Sequence, residues 1–125
     1  MGSNLIDKAA EALRKSMEST KKALEALDHE NLEATEFPLW KAAAESEYAS
    51  FILSVAKGLN EPYAEAEDLR LDNPSPKPTI IAAEQALSEA LKLVGYNLEE
   101  AYQKSKLATK YLRKASSTLT TKPSV

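Results

Sequence analysis

Residues Asn4–Asp28 read NLIDKAAEALRKSMESTKKALEALD. Within them Ile6, Ala10, Leu13, Met17, Thr20, Leu24 and Leu27 recur at alternating steps of four and three. That is a heptad stripe, the signature of a helix laid along a bundle seam. Asn4 can cap the helix, and Asp7 sits in the first turn where the helix dipole favours an acid. A chain that opens with such a helix is expected to continue in kind, because one apolar stripe needs others to cover it.

The rest of the chain uses the same vocabulary. Ala, Leu, Glu and Lys dominate, β-branched runs are absent, and glycine is confined to Gly2, Gly58 and Gly95. A second helix is expected from Pro38, a residue suited to a first turn, to about Gly58. Trp40, Ala44, Tyr48, Phe51, Val55 and Leu59 form its large-residue stripe, expected to be core. Ala43, Ser46, Ser50 and Ser54 lie beside it as a small-residue face that another helix could approach closely. Asn60-Glu61-Pro62 predicts a short third helix to about Leu71. The prolines at 74, 76 and 78 then enforce extended backbone.

Thr79 is expected to cap a fourth helix, with Ile80, Ala83, Leu87, Ala90 and Val94 inward. Asn97 and Glu100 form a capping box, with Tyr96 placed to staple onto Ala101. The fifth helix turns Ala101, Ser105, Ala108, Leu112, Ala115 and Leu119 inward. The expectation is an all-α fold, an antiparallel up-and-down bundle of four long helices plus one short helix. One domain covers residues 1–120, and residues 121–125 form a flexible tail. Leu13, Trp40, Phe51, Leu87 and Leu112 are the expected large core residues.

Composition excludes several functions. The 125 residues contain no cysteine, which removes thiolate nucleophiles and zinc held on sulfur. The single histidine, His29, ends the first helix, where the dipole accounts for it. A ferritin-like di-iron site needs two Glu-x-x-His pairs and cannot be built. Glu61 and Glu65 read as a solvated acidic face. No metal and no cofactor is expected. No phosphate-binding glycine loop or nucleophile elbow occurs, so an enzyme is not expected. No apolar run approaches the ~18 residues of a membrane span, and no signal or myristoylation motif opens the chain, so the cytoplasm is the default location.

Two constellations remain as candidate sites. Trp40, Tyr48 and Phe51, with Glu47 beside them, could line a pocket for a flat or apolar ligand. Lys106, Lys110, Arg113 and Lys114 fall on one side of the fifth helix and could contact an anionic partner. The net charge of −3 divides as −6 over residues 1–71 and +3 over residues 72–125. Opposed halves favour intramolecular or dimer complementarity, and nucleic acid is an unlikely partner because few aromatics interleave the basic residues.

The stretch Ile81–Lys92, IAAEQALSEALK, resembles a helix common in HEPN proteins, which partner nucleotidyltransferases or act as RNases. The resemblance covers that helix alone. The family's Arg-x4–6-His motif is missing, since Arg14 stands fifteen residues before His29 and there is no second histidine. A shared fold would therefore imply a helical module without RNase activity, associated with a small ligand or nucleotide. The leading expectation is a non-enzymatic protein–protein interaction module or self-associating scaffold, as a possible homodimer.

Overall fold

A computed structural model describes residues 2–58 and 75–120. Four helices make up the described residues: α1 (Gly2–Asp28), α2 (Leu32–Lys57), α3 (Pro76–Leu93) and α4 (Leu98–Thr120). The expected fourth and fifth helices are thus α3 and α4. The short helix expected before Leu71, and the tail after Thr120, lie outside the described residues.

Local chemistry sets the helix ends. After α1, Glu30 takes a left-handed backbone (φ 57°) and reverses the chain. Asn31 then caps α2, its side-chain oxygen accepting from the Ala34 amide at 3.0 Å. The cap explains why α2 starts at Leu32 and not at Pro38: a satisfied N-terminus carries the helix through Pro38, which lies inside it. Gly58 closes α2 in the left-handed region (φ 71°), its amide bonding back to Ser54 and Val55 carbonyls. Pro76 opens α3 with Ser75 as its cap residue. Thr79, expected as the cap, is buried in the first turn and donates to the Ser75 carbonyl. Asn97 caps α4, accepting from the Glu100 amide at 3.1 Å. Tyr96 stands 78% exposed and does not staple onto the buried Ala101.

The four helices pack as a bundle in which α2 touches α1 and α4, and α3 touches α1 and α4. Directions follow from cross-helix pairs. Ser50 meets Ser105, Ser46 meets Thr109, and Lys57 pairs with Glu99, so α2 and α4 are antiparallel. Lys77 at the start of α3 pairs with Asp28 at the end of α1. Val94, just past α3, packs with Ala9, Ala10, Ile52 and Leu53 at the other end of the bundle. Helices α2 and α3 therefore run in the same direction, diagonally opposed. The order is up, down, down, up, and not the expected strict up-and-down alternation. Gly58 and Ser75 sit at opposite ends of the bundle.

Three of the four expected stripes form the core. Leu13, Leu87 and Leu112 are fully buried, and so are Ile80, Ala83, Ala90, Ala101, Ala108 and Ala115. The exception is α2. Its inner face is the small-residue row, Ala42, Ala43, Ser46, Ala49 and Ser50, together with Leu39 and Leu53. Trp40 and Phe51, expected in the core, are on the outside. The core is correspondingly light, with thirteen alanines among the twenty-three buried apolar residues found among the described residues. Alanine lets helices approach closely but buries little area of its own.

Candidate functional site

An α-helix that is apolar on one face shows its orientation in sequence; α2 is apolar on two. Its small face is taken up by hydroxyl-mediated contacts. Ser16 donates to the Ala42 carbonyl at 2.7 Å, bringing α1 against α2. On the α4 side, Ser50 donates to Ser105 at 2.8 Å, Ser105 donates to the Ser46 carbonyl at 3.1 Å, and Ser46 pairs with Thr109. Only small side chains permit backbones this close. The bulky face is left outside as a result.

That outer face is the candidate site. Phe37, Trp40, Tyr48, Phe51 and Val55 are 66, 64, 55, 59 and 49% exposed. With the exposed Ala44 they form one row. From Phe37 to Val55 the row takes five steps over eighteen residues, the 3.6-residue period of a straight helix, so it runs along α2 for about 27 Å. Phe37 and Trp40 stack with ring centroids 6.2 Å apart and planes 26° from parallel. Taking ~200 Å² for each aromatic side chain, the row presents about 500 Å² of apolar surface. That is near the top of what a monomer ordinarily leaves uncovered in one patch, about 300–600 Å².

The rim is charged. Glu47 is ion-paired with Arg113 of α4. Glu45 accepts from Ser19 at 3.0 Å. Beside Tyr48 a groove of about 330 Å³ runs between α1 and α2, lined by Lys8, Glu11, Ala12, Lys15 and Glu45. The four residues proposed for an apolar ligand thus lie together, but as a ridge with Glu47 committed to Arg113, and Tyr48 alone among them borders the groove.

The basic residues of α4 do not form one open surface. Lys106 is buried, its ammonium 5.1 Å from the centre of the Tyr102 ring, while Lys57 of α2 lies 5.2 Å from the same ring. Arg113 is held by Glu47. Lys110 is half-buried and Lys114 exposed. Burial pushes the Tyr102 phenol above its ordinary value. Two acids of the first half pair with cations of the second, Asp28 with Lys77 and Glu47 with Arg113, so part of the opposed charge is used within the chain. His29 is exposed at the α1–α2 turn.

Among the described residues, no three or more acids and histidines gather as a metal site, and no helix is long and apolar enough to cross a membrane. Comparison with protein-family models, with curated proteins and with solved structures gave no match to this chain.

Proposed function

We propose that this chain is a protein-docking module whose working surface is the outer row of α2. The observation that carries the reading is the exposure of Phe37, Trp40, Tyr48, Phe51 and Val55 on one helix face while the core is built from alanine. Water contact over that row is costly, and a matching apolar partner removes it. Covering the row removes apolar surface from water, the favourable term that offsets the freedom lost when two bodies join. A small-ligand role has weaker support, since the aromatics form a ridge that encloses nothing. Docking needs no catalytic group, cofactor or metal.

A photo-crosslinking side chain, p-benzoylphenylalanine, placed at Tyr48 tests this in cells of the source organism. Gln85, exposed on α3 diagonally across the bundle, is the control position. The expected result is a protein adduct of defined mass from position 48 and none from position 85. Equal, diffuse labelling from both positions would remove the docking role.

A further inference from the structure

Resting on the reading of the α2 row as a docking face, we infer that its occupant is a second copy of this chain, seated antiparallel, α2 against α2, about a two-fold axis near position 46. A two-fold interface must be complementary to itself: whatever residue i meets on the second copy must meet i in return. The order of side-chain sizes along this row meets it in the antiparallel register. Reversing the row about position 46 sets Phe37 opposite Val55 of the second copy and Ala44 opposite Tyr48 of the second copy. It sets Trp40 within one residue of Phe51 of the second copy. Each pair joins unequal partners, so the bulk of one fills the space left by the other. The smallest member, Ala44, opens a notch that Tyr48 of the second copy fills.

The parallel alternative does worse on the same residues. It stacks Trp40 on Trp40 and Phe51 on Phe51, and it leaves Ala44 facing Ala44 with a void between the bulkier neighbours. Near the axis the two Glu47 side chains come together, and each is already neutralised by Arg113 of its own chain. No charged side chain interrupts the row itself. The size is also sufficient. Two rows of about 500 Å² bury about 1,000 Å² together before the flanking residues are counted, which reaches the threshold of a specific interface. Among the described residues, helix α3 lies diagonally across the bundle from α2 and does not reach its outer face.

The chain has no cysteine, so single-cysteine variants report only on the introduced position. Purified Ala44→Cys and Tyr48→Cys proteins are mixed in equal amounts and oxidised gently, and the disulfide-linked species are weighed by mass spectrometry. The antiparallel register predicts the mixed Ala44→Cys/Tyr48→Cys dimer in excess of its statistical share. Dominance of the two homodimers overturns the register in favour of a parallel pair. Sedimentation equilibrium on the unaltered protein gives the second readout. It should show a monomer–dimer equilibrium that Trp40→Ser weakens by several hundred-fold, about 30-fold for the anchor lost from each of the two chains. Circular dichroism unchanged by Trp40→Ser separates this loss from unfolding. A strictly monomeric protein that still gives a position-48 adduct with a different protein overturns the second copy while leaving the docking face standing. A monomer with no adduct removes both.

Discussion

Leu13 and Trp40 are both large apolar residues on bundle helices, and they are expected to behave in opposite ways. Leu13, Leu87 and Leu112 have no contact with water, so truncation to Ala leaves a cavity and costs about 2–5 kcal/mol each. Trp40→Ala and Phe51→Ala remove exposed groups. Measured at high dilution by urea unfolding, they should shift stability by about 0.5 kcal/mol or less. A loss of several kcal/mol from Phe51→Ala in the monomer would contradict the placement of that ring. Tyr102 gives a prediction with pH. Its folded phenol titrates above the unfolded value of 10.0, so the folded state holds its proton longer. The stabilisation is complete below about pH 10 and is lost as pH rises through the higher folded value. Tyr102→Phe should flatten the alkaline decline seen by thermal unfolding above pH 10.

Helix α2 shows how far an element can be read from its own residues. The stripes of α1, α3 and α4 each have one apolar face, so spacing alone placed Leu13, Leu87, Ala108 and Leu112 correctly. In α2 two faces compete, one bulky and one small, and residue size favours the bulky one. The decision lies elsewhere: Ser105 and Thr109 on α4, and Ser16 on α1, supply small partners that Ala42, Ser46 and Ser50 meet. No local pattern in α2 reveals that match. The seam also predicts that Ser105→Leu overpacks it, costing about 1–3 kcal/mol and separating α2 from α4. The start of α2 was legible in principle, since Asn31 is a strong cap residue, but Pro38 is the more conspicuous signal. Asn31→Ala should cost about 1 kcal/mol, whereas Glu30→Gly, which relieves a left-handed backbone at φ 57°, should raise stability by up to about 1 kcal/mol. Thermal melts of the two variants moving in the same direction would count against this account of the turn.

At the scale of the whole molecule, the aromatics are distributed against the usual order. Phe37, Trp40, Tyr48, Phe51 and Tyr96 are exposed, while the interior is largely alanine. The all-α class followed from composition and period, but the up, down, down, up order did not, because helix direction is fixed by cross-helix pairs such as Lys77 with Asp28. The basic residues of α4 look like an open cationic surface in sequence because Glu47, which holds Arg113, is close only in the fold, whereas the Tyr102–Lys106 contact is one helical turn long and could be read from spacing. This inversion decides how association should respond to solvent. Contact through the α2 row is apolar, so raising sodium chloride well above physiological strength should leave the dimer intact, since screening acts on charges and not on buried rings. Cooling should weaken it, because hydrophobic burial loses strength at low temperature. An anion-binding role for Lys106, Lys110, Arg113 and Lys114 predicts the reverse, a steep loss of affinity with salt. The single tryptophan reports on both, because Trp40 lies in the row. Its emission should shift to the blue as protein concentration rises, and that shift should persist in high salt and reverse on cooling. A blue shift that salt abolishes would place charge, and not the aromatic row, at the centre of the association.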